Sequence, residues 1–272
     1  MPQVPLRSFD LAVIFVYLAG VTWFGSRFKE KQESLKDYFL GGRTAPWWAI
    51  ALSIVSAETS TLTIIGTPPL AYAGSFVFLQ VVFGYLLARI FISFVFLPRY
   101  FEGQLFTAYE LMQRRFGPRV RKITSAIFLV TRSLAEGVRV FAISIVVSIV
   151  LHTSGQWSII VILCLTLFYT YEGGMTAVIW TDVIQMAMYV FGALVSFFIL
   201  AHRIPGGFPH VIELGMAAGK FQVFDFHWSW TYPYTIWAGI IGGCFLTTAS
   251  HGTDQLVVQR LLSARSERES RI

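Results

Sequence analysis

Charge is scarce in this chain of 272 residues, since only 13% are Asp, Glu, Lys or Arg and 55% are hydrophobic. A soluble domain carries about 25% charged residues, so the chain lacks the polar surface that a water-facing body requires. The mean hydropathy is +0.63, and the apolar residues form runs near the roughly 20 residues that a membrane-spanning helix needs. The composition predicts an all-α integral membrane protein in a lipid bilayer.

Other absences narrow the function. The two cysteines, Cys164 and Cys244, lie in apolar segments and indicate neither a disulfide framework nor a metal site. The basic residues behind the net charge of +6 are spread over short loops, without the continuous patch that a nucleic-acid partner requires. The five histidines form no H-E-x-x-H or nucleophile motif. The sequence therefore predicts that the protein is not an enzyme and binds no nucleic acid.

Seven apolar segments indicate a multi-pass protein with about seven transmembrane helices. They cover residues 9–24, 47–73, 76–97, 123–151, 157–169, 178–201 and 234–250. No Lys-rich region or cleavage site precedes the first segment, so we interpret it as a retained helix.

The lysines and arginines of the loops are unevenly distributed. Residues 27–43, 99–122 and 260–271 contain fifteen of them, whereas the alternate loops contain three. Because cytoplasmic loops carry an excess of Lys and Arg, these three stretches are predicted to be cytoplasmic. In a cell (plasma or inner) membrane, the N-terminus would then lie outside and the C-terminal tail inside.

The second and seventh segments are too polar for plain lipid-facing helices. Residues 53–63 of the second are rich in Ser and Thr and are followed by Pro68, while the seventh combines glycines at 239–243 with polar residues at 247–254. Secondary transporters use pairs of interrupted helices as binding sites, where backbone carbonyls meet a cation. We therefore expect both segments to be broken. The alternative is that their hydroxyls only join helices together.

Three motifs occur in a defined order along the chain. They are D-Y-F-L-G-G-R at 37–43, G-G-M-T-A-V-I-W-T-D at 173–182, and T-D-Q-L-V-V-Q-R at 253–260 with A-R-S at 264–266. Together they resemble the sodium:solute symporter family, which includes the sodium/glucose, proline, pantothenate and monocarboxylate transporters. The resemblance covers nearly the whole chain. It implies an inverted-repeat (LeuT-like) fold, with two five-helix repeats preceded by one extra helix.

The resemblance also implies a domain organisation within a single membrane domain, 1–272. Residues 9–24 would be the extra helix, 47–201 the first repeat with its broken first helix, 234–253 the broken first helix of the second repeat, and 254–272 a cytoplasmic tail. Family chains are nearly twice this length, so the chain is expected to be an incomplete N-terminal half.

The function implied is sodium-coupled symport of a small organic solute by alternating access, with sodium as the coupling ion and no other cofactor. An alternative is a symporter-like ligand-sensing membrane module of the kind fused to a sensor histidine kinase.

The family motifs suggest positions for the sodium ligands. The match of S-A-E at 56–58 places the sodium-binding backbone carbonyls at Leu52 and Val55, with hydroxyl partners beyond Ile272. Asp182 is interpreted either as a helix cap together with Thr181 or as a station on the sodium exit path.

Candidate solute contacts are polar side chains of the second, third, fourth and seventh segments. They are Ser56, Glu58, Thr59, Ser60, Gln80, Arg139, Thr247, Ser250 and His251.

Charged residues inside apolar segments also suggest function. Arg132, Glu136 and Arg139 share one helix face and form either a self-neutralising stripe or a site where one arginine binds a solute carboxylate. Arg89 is expected to snorkel or to pair locally.

Overall fold

The computed structural model describes residues 8–28, 34–102, 105, 107–151 and 154–272, and within them it contains thirteen α-helices and no β-strand. The helices are α1 (Ser8–Ser26), α2 (Leu35–Leu40), α3 (Trp47–Glu58), α4 (Thr61–Ala73), α5 (Val81–Phe91), α6 (Leu97–Glu102), α7 (Ala108–Phe116), α8 (Pro118–Leu151), α9 (Gly155–Arg203), α10 (Gly207–Ala217), α11 (Ile236–Gly252), α12 (Gln255–Leu262) and α13 (Glu267–Arg271). The predicted all-α class is confirmed.

Three helical spans in the described part of the chain are long and apolar enough to cross a membrane. They are Ser8–Ser26, Phe76–Glu102 and Gly174–Arg203, and the bent pair formed by α3 and α4 makes a fourth if it counts as one span. Helices α8 and α11 lie where the sequence predicts the fourth and seventh segments. The positions of the apolar segments agree with the helices, while the total of seven crossings stays a prediction.

The break in the second segment lies between Glu58 and Thr61. Helix α3 ends at Glu58, Thr59 and Ser60 are extended, and α4 begins at Thr61. The two helices are bent by 70°. The Ser60 N–H donates to Oγ1 of Thr63 at 3.2 Å, which satisfies a free donor at the start of α4. The predicted interruption near residues 53–60 is confirmed, and short hydroxyl side chains stabilise it.

The glycines at 239–243 do not interrupt the seventh segment, because α11 runs continuously from Ile236 to Gly252. The break comes at Thr253 and Asp254, before α12 begins at Gln255. The glycines of α11 allow close packing instead. A Cβ atom on Gly243 would lie 2.8 Å from the carbonyl oxygen of Val81, and one on Gly84 would clash with the carbonyl oxygen of Gly239. Small residues at such positions let membrane helices approach at backbone distance. The chain leaves the helix only after Gly252.

The contact between α5 and α11 gives a stability prediction. Gly84→Ala should lower the free energy of unfolding by about 1–3 kcal/mol, because backbone atoms of α11 leave no room for the methyl group. Gly192→Ala on α9 is the matched control, since a Cβ atom there would meet no described atom within 4 Å. That variant should be stabilised by up to about 1 kcal/mol through helix propensity. Denaturation in lipid nanodiscs measures both, and equal effects of the two changes would contradict the packing argument.

Helix α9 contains the junction between the fifth and sixth segments. Gly174 has φ 57° and ψ −161°, a conformation that glycine adopts without steric cost. This glycine belongs to the second motif, and the side chains of Tyr171 and Glu172 just before it lie outside the described part. Residues 29–33 of the first basic stretch also lie outside it.

The three motifs meet at one end of the helix bundle, which we call the motif face. Nε2 of Gln259 donates to the carbonyl oxygen of Phe39 at 2.7 Å. Nε of Arg265 donates to the carbonyl oxygen of Thr44 at 3.1 Å. Gly41 packs so closely on Thr176 that a Cβ atom would lie 2.8 Å from Oγ1 of that residue. Motifs far apart in sequence thus form one packed structure.

Candidate functional site

A buried polar network joins α3, α9 and α12 near the motif face. Oγ of Ser53 donates to Oδ2 of Asp182 at 2.6 Å. The guanidinium of Arg260 donates from Nη2 to the same carboxylate oxygen at 3.0 Å and from Nε to Oγ of Ser53 at 2.8 Å. The Asp182 side chain is 14% exposed and the Arg260 side chain 9%. The network fastens the first half of the broken helix to α9 and α12.

This geometry corrects the capping interpretation of Asp182. The helical arm that contains Asp182 begins at the Gly174 kink, about two turns earlier, so no free N–H groups surround the carboxylate. Oγ1 of Thr181 donates back to the carbonyl oxygen of Ala177 at 2.8 Å. Asp182 is an ion-pair partner and not a cap, and its place on a sodium exit path stays a prediction.

The charged stripe on α8 pairs internally and also reaches α12. Arg132 contacts Glu136 at 2.6 Å, and Arg139 contacts the same carboxylate at 3.4 Å. Nη1 of Arg132 also donates to Oδ2 of Asp254 at 3.0 Å. Asp254 caps α12 by accepting from the backbone N–H of Leu256 at 2.8 Å. The self-neutralising interpretation is therefore confirmed for Glu136, whereas solute binding by Arg139 stays a prediction.

The end of α3 presents backbone oxygen atoms beside the helix break. The carbonyl of Val55 accepts the N–H of Thr59 at 2.9 Å, and a carbonyl oxygen has two lone pairs with which to accept. Leu52 lies one turn earlier, inside α3. The side chains of Leu52 and Val55 are exposed and apolar. These two residues could therefore bind a cation only through their backbone oxygens. Ser56, Glu58, Thr59 and Ser60 are all partly exposed around the same break.

The candidates on α11 differ in their surroundings. Thr247 is buried at 2% exposure. Oγ of Ser250 and Nδ1 of His251 are 2.9 Å apart. The other ring nitrogen of His251, Nε2, is buried without a hydrogen-bond partner among the described residues. His251 lines the same cavity as Ile54 and Val55, so the end of α3 and the end of α11 are close.

A cavity of about 250 Å³ connects these elements. Its lining includes apolar side chains of α3, together with Arg89 and Ser93 beside α11 and His251 on it. Small-molecule sites are typically concave and mostly apolar, with a few polar groups. The sequence suggests only snorkelling or local pairing for Arg89. Arg89 is a lone charged residue inside a long apolar run, and this feature of the sequence indicates that its side chain lines a cavity.

Gln80 is placed away from this cavity. Its side chain is 1% exposed, and Nε2 donates to the carbonyl oxygens of Val77 at 3.0 Å and Tyr234 at 3.4 Å. Oε1 accepts the N–H of Asp225 at 3.0 Å. These bonds join the start of α5 to the segment before α11, so the amide is occupied by structural contacts and not directed at a solute.

Comparison with known proteins identifies the family of this chain. Human (Homo sapiens) sodium-coupled monocarboxylate transporter 2 is 28% identical over 261 residues, which cover 96% of this chain and 42% of that protein. The sodium/sialic acid symporter SiaT of Proteus mirabilis is 30% identical over 266 residues, which cover 96% and 53%. The solved structure of a Na⁺-coupled sialic acid symporter in a substrate-bound outward-open state matches with a TM-score of 0.88 at 28% identity, covering 97% of this chain and 55% of that one. The chain thus spans about half the length of these relatives.

The family match extends over most of the chain, and it includes the second and third motifs together with most of the first. The family model described as Sodium:solute symporter family matches residues 38–271. Taken with the shared fold, this match shows that the chain belongs to the sodium:solute symporter family.

Proposed function

We propose that this chain forms the N-terminal half of a symporter that moves a small organic solute across the membrane together with sodium. The observation that carries the proposal is the broken α3–α4 helix beside a mostly apolar cavity that also contains a few polar side chains. Interrupted helices of this kind supply cation and substrate sites in secondary transporters. The relatives carry sodium with monocarboxylates or with sialic acid, according to their names, and these solutes are organic anions.

The coupling ion would bind to backbone oxygen at the helix break. The carbonyls of Leu52 and Val55 are the proposed ligands, and Asp182 is the proposed station on the path by which sodium leaves. A hard cation takes about six or more oxygen ligands, and these two carbonyls supply only part of such a shell. We therefore expect the 272-residue chain to bind sodium weakly by itself.

The proposed organisation follows the inverted repeats of the family. Residues 47–201 would form the first repeat, and α11 would begin the second. Alternating access would then involve movement of one repeat against the other around the helix break. The basic residues at the motif face support a cytoplasmic location for that end of the bundle.

Cysteine labelling tests the orientation. After Cys164 and Cys244 are replaced by serine, a cysteine at the exposed position Gln222 should react with a membrane-impermeant maleimide added outside cells. A cysteine at Gln32, which lies outside the described residues, should react only after the membrane is permeabilised. The reverse pattern would show that the orientation is wrong.

Solute uptake tests the transport proposal. A longer version that carries the remaining helices should accumulate solute in proteoliposomes when a sodium gradient is imposed, and should stop when the gradient is dissipated. The 272-residue chain should insert into the bilayer and transport nothing, because most of the proposed cation shell is missing. Gradient-dependent uptake by the unextended chain would refute the half-transporter interpretation.

A further inference from the structure

The corner where α7 meets α8 carries a dense cluster of positive charge, which we call the basic corner. It consists of two residues at the end of α7 and three in the first two turns of α8, namely Arg114, Arg115, Arg119, Arg121 and Lys122. Residues 111–131 contain no Asp or Glu. The charged side chains of this stretch are therefore all of one sign.

Contacts between the two helices fix the position of the basic corner. The rings of Tyr109 on α7 and Phe128 on α8 lie with their centroids 5.6 Å apart. Gly117 forms the turn with a φ of 86°, and across this turn Nη1 of Arg121 donates to Oε1 of Gln113 at 2.6 Å. The basic side chains thus belong to packed helices and not to a loose charged loop.

Three cations of the basic corner have no counter-ion among the residues that the structure describes. Arg115, Arg119 and Lys122 are exposed, and they take part in none of the described ion pairs. Because the first turn of a helix carries partial positive charge, Arg119 and Lys122 are repelled by the dipole of α8. An anion bound to these side chains would offset that repulsion.

Exposed apolar side chains accompany the basic corner. Phe116 lies between its two halves, and Ile123 follows Lys122 directly; both are exposed, as is Ile127 one turn further along α8. A surface that changes from basic to apolar within one helical turn is typical of the level of the lipid headgroups. The orientation proposed above places this level at the cytoplasmic leaflet, whose anionic lipids attract basic segments next to membrane helices.

We propose that the basic corner is a binding site for an anionic phospholipid of the cytoplasmic leaflet, with Arg115, Arg119 and Lys122 at the headgroup phosphate and Phe116 in the interfacial layer. The planar guanidinium of arginine matches a phosphate group bidentately. A lipid fits better than a soluble phosphate, because its acyl chains would also cover the exposed side chains of Ile123 and Ile127.

Native mass spectrometry of the 272-residue chain in detergent tests the site. The probes are dioleoylphosphatidylglycerol and dioleoylphosphatidylcholine, which have the same acyl chains and differ in the net charge of the headgroup. We expect the first phosphatidylglycerol to bind at least about tenfold more tightly than the first phosphatidylcholine, since each basic residue near an anionic lipid adds to the attraction. A higher concentration of ammonium acetate should reduce this preference, because salt screens exposed charges.

Substitutions locate the binding. Arg119→Gln combined with Lys122→Gln should weaken phosphatidylglycerol binding about tenfold or more and leave phosphatidylcholine binding unchanged. Arg203→Gln combined with Arg268→Gln is the matched control, because it removes the same charge from two exposed positions outside the basic corner and should retain the preference. Circular dichroism verifies folding, and Arg115→Gln on α7 provides a second variant with an expected loss of about fivefold.

Three results would overturn the proposal. They are equal affinity of the unsubstituted chain for the two lipids, equal losses in the matched control and in the variants of the basic corner, and displacement of phosphatidylglycerol by an equal concentration of glycerol 3-phosphate. The last result would identify a site for soluble phosphates. The assay uses neither sodium nor solute, so its outcome does not depend on the transport proposal.

Discussion

Replacing Arg260 by methionine is expected to lower the free energy of unfolding by about 3–5 kcal/mol. Arg260 donates to Asp182 and to Ser53 at 3.0 and 2.8 Å, and both of its side-chain partners are largely buried. Removal of the guanidinium leaves a buried carboxylate without its counter-charge, and such an uncompensated charge costs more than the pair contributes when intact. Urea denaturation in detergent, followed by tryptophan fluorescence, measures the change.

A double-mutant cycle decides whether the carboxylate is the cause. In an Asp182→Asn background, Arg260→Met should cost at least about 1 kcal/mol less than in the unsubstituted chain, because no negative charge is left unpaired. Arg268→Met on α13 is the control, since this exposed arginine should change stability by less than about 0.5 kcal/mol. Strictly additive effects of the two core substitutions would mean that the ion pair does not matter for stability.

Sodium-driven uptake by the longer version should fall roughly 10–100-fold after Asp182→Asn or Glu58→Gln, by analogy with losses of supporting groups at metal sites. Asp182 lies next to the first half of the broken helix through its bond to Ser53, and Glu58 is the last residue of that half. Both variants should still insert, because the apolar helices drive insertion and neither carboxylate does.

The design of this uptake experiment must separate transport from folding. Glu213→Gln on α10 is the control, because its side chain is 81% exposed. Asp182→Asn also removes the partner of Arg260, so the sodium concentration for half-maximal uptake is measured beside the rate. A variant that is only partly misfolded would lower the maximal uptake rate, while the sodium concentration for half-maximal uptake would stay unchanged. Normal uptake by both variants at every sodium concentration would refute the roles proposed for these carboxylates.

The sequence predicts the membrane class and the break in the second segment because both have local causes. Because charged residues are sparse, the apolar helices are stable in lipid. The short hydroxyl side chains of Thr59 and Ser60 favour non-helical backbone. In the seventh segment the break lies at Thr253 and Asp254 and not at the glycines of α11, since glycine serves a break and a close contact equally well. Only the position of Gly84 on the neighbouring helix distinguishes the two.

Ion pairs between distant elements could not be predicted from the sequence pattern. Asp182 and Arg260 are 78 residues apart, and Arg132 and Asp254 are 122 residues apart. Each pair depends on how the helices cross, which hydrophobic periodicity does not specify. The same limit applies to Arg89, because the residues that surround its cavity come from α3, α5, α6, α11, α12 and the C-terminal end of the chain.

The glycine contact between α5 and α11 has a mechanical consequence for the two helices beside the cavity. Two helices that touch through their backbones cannot slide past each other without a steric clash. The pair is therefore expected to move as one rigid body. Arg89 is carried by α5 and His251 by α11. The close backbone contact at Gly84 and Gly243 therefore fixes the separation of these two cavity-lining residues.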